Sequence, residues 1–98
     1  MSQKVDPKQV YAAQIRAARA LANWSQGELA ERAGISKQSV NRIEGGGMDA
    51  RFSTMNALAD ALRSAGVEMG EDASTGVVRV SIVRDRIGND SPADGTRS

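Results

Sequence analysis

The sequence predicts a mainly α-helical protein: a compact bundle of four to five helices, then a short C-terminal β-strand or hairpin and a flexible tail. Through residue 64, apolar residues recur at spacings of three and four, as in amphipathic helices. Residues 77–84 are instead rich in β-branched residues that partly alternate with polar ones, which predicts a strand. From residue 85 onward Gly, Asn, Asp, Ser and Pro prevail without periodicity, which is typical of disorder.

Length and composition indicate one small domain, because the chain has 98 residues and a formal net charge of +1. It contains no Cys and no His, which excludes disulfides, cysteine nucleophiles and the usual zinc sites, and we predict no metal or cofactor. No apolar run approaches the roughly 18 residues that span a bilayer. The N-terminal residues lack the apolar core of a signal peptide, so we expect a cytoplasmic protein without a membrane partner.

The first helix is predicted from Pro7 to about Ala22. Asp6 is a favourable N-cap, and proline suits the first helical position. We interpret Trp24, just after this helix, as a core contact rather than a base-stacking group. The apolar stripe of the helix comprises Tyr11, Ile15, Ala18 and Ala22.

Residues 25–44 predict two short helices joined by a turn. Ser25 and Glu28 match the capping box that opens a helix. Gly34 can adopt the left-handed conformation that closes this helix, and Ser36 can cap the next one. Two short helices that cross over a glycine turn form a helix-turn-helix. The apolar positions that define the two helices are Leu29 and Ala33, then Val40 and Ile43.

A fourth helix is predicted from about Ser53, as its N-cap, to Ser64, with Gly66 ending it. The glycines at 45–47 are expected to end the third helix and form a mobile loop. The apolar residues of the fourth helix follow helical spacing at Phe52, Met55, Leu58, Ala59 and Leu62.

The strand predicted at residues 77–84 has three possible partners. It can pair with residues 67–69 in a hairpin across a turn at 70–76, with the same strand of a second subunit, or with both. A lone two-stranded hairpin is marginal in water, so this segment needs a surface to pack on.

The helix-turn-helix resembles that of the phage repressor and Cro-type (XRE-like) family of DNA-binding regulators. The resemblance covers roughly residues 12–69, and it implies a lambda-repressor-like fold with double-stranded DNA as the partner. Its matching residues are Gln26, Leu29, Ala30, Gly34, Ile35, Val40 and Ile43, flanked by Arg19, Glu44, Gly45 and the ALADAL run at 57–62.

The third helix would enter the major groove of DNA, as the second helix of this motif does in the phage repressors. Lys and Arg side chains can donate to guanine, while Gln and Asn can form bidentate pairs with adenine. The same face would also be polar on any solvated helix. The candidate base-contacting residues are Lys37, Gln38, Asn41 and Arg42.

Phosphate contacts are expected around that helix, because helix N-termini offer free backbone N–H groups. The resemblance also implies an ion pair between Arg19 and Glu44 that ties the first helix to the end of the third. The resemblance also implies that Arg51 contacts the DNA backbone. The candidate phosphate-contacting residues are Ser25, Gln26, Ser36, Ser39 and Arg51.

A homodimer is predicted, because one small domain reads few base pairs and a dimer binds two half-sites about 34–36 Å apart. Residues 1–66 would form the DNA-binding domain, 67–84 the dimerisation extension and 85–98 a flexible tail. The alternative is that the strand packs only on its own subunit. The predicted dimer contacts are Leu62, Val67, Met69, Val78, Val80 and Ile82.

The leading functional hypothesis is a sequence-specific transcriptional repressor that binds a near-palindromic operator at the nucleoid. Up to residue 65 nine Lys and Arg oppose six Asp and Glu, whereas four oppose six thereafter, so the positive balance lies with the helix-turn-helix. The alternative is a protein-interaction module or antitoxin whose C-terminal segment binds a protein partner. An enzyme is disfavoured because the sequence has neither a His base nor a phosphate-loop pattern.

Overall fold

The computed structural model describes residues 6–47 and 51–83, and in them four helices are followed by a two-stranded antiparallel sheet. This confirms the predicted mainly helical fold with a C-terminal hairpin, whereas the predicted tail at 85–98 lies outside the described residues. No described helix is both long enough and apolar enough to cross a membrane. The elements are α1 (Pro7–Ala22), α2 (Gln26–Ala33), α3 (Lys37–Glu44), α4 (Phe52–Ser64), β1 (Val67–Asp72) and β2 (Val77–Ile82).

The predicted N-caps of the first three helices are present. The Asp6 carboxylate accepts from the backbone N–H of Lys8 at 2.9 Å. Ser25 and Glu28 form the complete capping box, in which each side chain accepts from the backbone N–H of the other residue. Ser36 caps α3 through its hydroxyl, which accepts from the backbone N–H of Ser39, so local chemistry fixes where each helix begins.

The first three helices also end alike, with a pair of backbone hydrogen bonds around one residue of positive φ. That residue is Asn23 after α1 (φ 61°), Gly34 after α2 (φ 74°) and Gly46 after α3 (φ 75°). In each case its N–H and the next N–H reach back to two carbonyls of the last turn, which is the Schellman arrangement. The glycines at 45–47 therefore end α3 as predicted, through backbone hydrogen bonds that extend to Gly47, while the mobility of this loop stays a prediction.

The start of α4 differs from the prediction. The Arg51 carbonyl already accepts from the N–H of Met55, so the helix begins at Phe52 and Ser53 lies inside its first turn. Phe52 and Met55 belong to the predicted apolar stripe, yet Phe52 is 77% exposed and Met55 36% exposed. The buried face of α4 instead begins at Leu58 and includes Ala61.

One apolar core joins all four helices to the start of the hairpin. Trp24 is half-buried against this core, and the Arg32 guanidinium lies 4.7 Å from its ring centroid. The interpretation of Trp24 as a core contact is therefore confirmed. The fully buried large side chains are Ile15, Leu29, Ile43, Leu58, Leu62, Val40 and Val67.

The hairpin pairs within the chain, in a register that runs from Val67 opposite Ile82 to Asp72 opposite Val77. We predicted a turn at residues 70–76, but β1 continues to Asp72 and the turn is shorter. The Asp72 carboxylate accepts from the N–H and hydroxyl of Ser74, and its carbonyl accepts from Gly76, which closes the turn tightly. Gln14 of α1 donates to one carbonyl on each strand and so fixes the hairpin on the helix.

Tyr11 is the only tyrosine of the sequence, and it is half-buried against the core. Its hydroxyl is buried without a hydrogen-bond partner among the described residues. Burial raises the pKa of Tyr11 from 10.0 to about 12, because the charged phenolate would lose its hydration.

This phenol predicts a loss of stability at alkaline pH. Tyr11 ionises more easily in the unfolded chain, so its contribution to stability is complete below pH 10.0 and falls as the pH rises towards about 12. Tyr11→Phe should remove this part of the alkaline loss. Near neutral pH it should leave stability unchanged or raise it by about 1 kcal/mol, because an unpaired hydroxyl is removed. Urea unfolding at a series of pH values measures both effects.

The ultraviolet absorbance of tyrosinate provides an independent check, since a single tyrosine gives the signal. We expect a midpoint near 12 in the folded protein and near 10.0 in the urea-unfolded chain. Equal midpoints in the two states would contradict the burial of this hydroxyl.

Candidate nucleic-acid interface

The exposed face of α3 brings the four candidate base-contacting residues together. Val40 and Ile43 are buried beneath the helix, so the opposite side of each turn faces solvent. All four candidates are exposed, and with Gln26 of α2 they line one shallow surface depression. The surface thus combines two cations with three amides. The four are Lys37, Gln38, Asn41 and Arg42.

The N-termini of α2 and α3 flank this face. Ser25 and Ser36 are exposed, and each already accepts a backbone N–H from the first turn of its own helix. The Ser36 hydroxyl also donates to that of Ser39 at 2.9 Å. Helices of eight residues that begin here leave first-turn N–H groups unpaired within the helix, which suits phosphate oxygens. Arg51 is exposed just before α4.

A buried carboxylate anchors the C-terminal end of α3. Glu44 is only 4% exposed, and both of its oxygens accept from the Arg19 guanidinium, at 2.6 and 3.0 Å. Arg19 also donates to the Trp24 carbonyl at 3.0 Å. Its hydrogen bond to the carboxylate raises the pKa of Arg19. The ion pair implied by the resemblance is thus present, and it joins α1 to α3.

The sequence did not reveal two further contacts of Glu44. The Gln26 side chain donates to the same carboxylate at 3.0 Å, a contact beyond the phosphate contact that the sequence predicts for Gln26. The Arg16 guanidinium donates to the Glu44 backbone carbonyl. Arg16 lies three residues before Arg19, a spacing that places both side chains on one side of α1 and could have indicated this contact.

The residues predicted for a dimer interface are not equally accessible. Leu62 is 0% and Val67 1% exposed, so both belong to the protein's own core and offer no surface to a second copy. Ile82 is 42% exposed, at the end of β2. Met69 and Val80 are half-buried where they pack against the core, and Val78 is half-buried as well.

The comparisons with known proteins agree with this geometry. The helix-turn-helix family profile matches residues 15–67, which is more than half of the chain. The restriction-modification controller protein C.AhdI from Aeromonas hydrophila is similar in structure, with 25% identity and a TM-score of 0.56 over 57% of this chain and 85% of that one. The hypothetical transcription factor NHTF from Neisseria gives 27% identity and a TM-score of 0.58 over 64% and 77%.

A structure of the HipA-HipB-O2-O3 complex also matches, with 22% identity and a TM-score of 0.53 over 63% of this chain and 87% of that one, and it supports the fold alone. No curated protein matches the sequence. The profile match covers α2 and α3, the helices that carry the exposed polar face. The chain therefore belongs to the XRE family of helix-turn-helix proteins and is a DNA-binding transcription regulator.

Proposed function

We propose that the protein is a repressor that binds a near-palindromic operator as a homodimer, with α3 of each subunit in the major groove. The observation that carries this proposal is the polar face of α3, since its four exposed side chains match the donors and acceptors of base edges. The phosphate-contacting residues would be Ser25, Gln26, Ser36, Ser39 and Arg51, which surround that face or precede α4. Such a regulator acts in the cytoplasm at the nucleoid, and it represses by covering a promoter.

The function can be tested by selecting bound duplexes from random DNA and measuring affinity at several salt concentrations. We expect one enriched near-palindrome with half-site centres about 34–36 Å apart. Log affinity should fall linearly with log salt concentration, by about 0.9 for each phosphate neutralised. Enrichment of no sequence, together with weak binding to all DNA, would contradict the proposal. It would favour the alternative in which the C-terminal segment binds a protein partner.

We propose that the two subunits meet at the hairpin. Leu62 and Val67 are not part of this contact, because both are buried in the core of their own subunit. Exposed Ile82 and Val77 would join the half-buried Met69, Val78 and Val80 there. A second subunit would cover this apolar edge, which on a single small domain favours aggregation. Pairing of hairpins between subunits is compatible with the pairing of β1 and β2 inside each one, because a two-stranded sheet has two outer edges.

We expect Ile82→Lys to shift the protein from dimer towards monomer, because a charge would be buried without a partner at the contact. Leu21→Lys is the matched control, since Leu21 is also 42% exposed but lies on α1 outside the proposed contact. Sedimentation equilibrium measures the shift. If both variants dimerise as the parent does, the hairpin is not the interface. An equal loss in both would indicate a general effect of the added charge.

A further inference from the structure

Three side chains connect the buried ion pair to the exposed face of α3. Glu44 is held by Arg19 and accepts from the Gln26 Nε2 atom at 3.0 Å. Gln26 in turn accepts, through its Oε1 atom, from the Asn41 Nδ2 atom at 3.4 Å. The chain of contacts therefore begins at a residue that is 4% exposed and ends at an exposed candidate base contact.

The charge of Glu44 sets the direction of both amides. A carboxylate only accepts hydrogen bonds, so Gln26 must turn its NH₂ group towards Glu44. The carbonyl oxygen of Gln26 then faces Asn41, and Asn41 donates to it from its own NH₂ group. An amide free in solvent has no such preference between its two orientations, whereas here the donor end of Asn41 is fixed by the ion pair.

The remaining edge of the Asn41 amide matches adenine. Its Nδ2 atom carries two hydrogens, and only one is needed for Gln26. The second hydrogen and the Oδ1 atom are the donor and acceptor that pair with N7 and the N6 amino group of adenine. Guanine presents two acceptors, N7 and O6, at the same place, and one of them would face the Oδ1 atom.

We propose that Gln26, oriented by Glu44, is a positioning residue that holds the Asn41 amide in the orientation that selects adenine over guanine. This inference rests on the proposed reading of DNA by α3. A free side chain loses conformational entropy when it binds, and an Asn41 amide that is already held in place loses less. Only a base that fits this orientation, adenine, gains from the difference. Loss of Gln26 should therefore reduce discrimination between bases at one position of each half-site.

The test measures a ratio of affinities. Asn41→Ala first identifies the base pair at which discrimination is lost. Gln26→Leu is then expected to reduce the preference for adenine over guanine at that base pair by about threefold to tenfold. Any phosphate contact that Gln26 also makes is lost equally on both duplexes, so it cancels from the ratio. Gln26→Met is a second variant of similar length, in case Gln26→Leu folds poorly.

Gln14→Leu is the matched control, because it makes the same change on α1, where the glutamine binds the hairpin. It should leave the preference at that base pair unchanged. A readout without DNA comes from the side-chain amide resonances of Asn41 in ¹⁵N-labelled protein. They should shift in both Gln26 variants and stay in place in the control.

The outcomes separate this inference from the function on which it rests. Wild-type protein that binds both duplexes equally well would overturn sequence reading by Asn41, and the positioning role with it. Wild-type protein that prefers adenine, with a preference that survives both Gln26 variants, would overturn the positioning role alone. An Asn41 resonance unaffected by the Gln26 variants would do the same.

Discussion

Replacement of Arg19 with alanine is expected to lower the free energy of unfolding by about 3–5 kcal/mol, the usual result when one partner of a buried ion pair is removed. The remaining Glu44 carboxylate is 4% exposed and would keep Gln26 as its only side-chain donor among those described. The Trp24 carbonyl would also lose its hydrogen bond from Arg19. Urea unfolding followed by circular dichroism measures the loss.

A surface ion pair of the same length is the matched control. Arg63 and Asp60 are also 2.6 Å apart, but their side chains are 52% and 71% exposed. Exposed pairs contribute about 0–1 kcal/mol, so Arg63→Ala should change stability by no more than that. Equal losses in Arg19→Ala and Arg63→Ala would show that burial of Glu44 does not determine the effect.

The two halves of the buried pair should also differ. Arg19 is 25% exposed, so after Glu44→Ala its guanidinium can turn partly towards water, whereas Glu44 cannot after Arg19→Ala. We therefore expect Glu44→Ala to be destabilising but less so than Arg19→Ala. The same urea experiment decides this, and a parent-like Glu44→Ala would contradict a stabilising role for the pair.

The features that the sequence predicted well are those set by residues a few positions apart. Asp6, Ser25 and Ser36 cap helices through backbone groups two or three residues away. Gly34 closes α2 because glycine adopts the required positive φ at low steric cost, whatever its neighbours in the fold. These signals place α2 and α3, and the spacing along α3 then determines which side chains face outward.

The features that the sequence missed depend on distant contacts. Helical spacing put Phe52 on the buried stripe, yet its side chain is 77% exposed and the buried residues of α4 begin at Leu58. Leu62 and Val67 are apolar and therefore suited an interface equally well, yet both are buried in the protein's own core. Gln26 and Glu44 are 18 residues apart, so their hydrogen bond could not be read from spacing within either helix.

Gln38→Ala/Asn41→Ala is expected to lose most of the preference of the protein for its operator. Each bidentate amide–adenine contact contributes about 1–3 kcal/mol of discrimination, so the double variant should bind the operator about 2–6 kcal/mol more weakly. Affinity for random DNA should change little, since phosphate contacts supply it. Fluorescence anisotropy with both duplexes at one salt concentration measures the two changes, and Asn56→Ala on exposed α4 is the control.

The value of this variant lies in the position of the two side chains. Gln38 and Asn41 are exposed and outside the apolar core, so alanine there should leave folding intact or favour α3 slightly. A loss confined to the operator therefore reports base reading by α3. An equal loss on both duplexes would mean that the two amides contact only the DNA backbone. Unchanged binding to both would make α3 an ordinary solvated face, and the helix-turn-helix would then serve to present the hairpin to a protein partner.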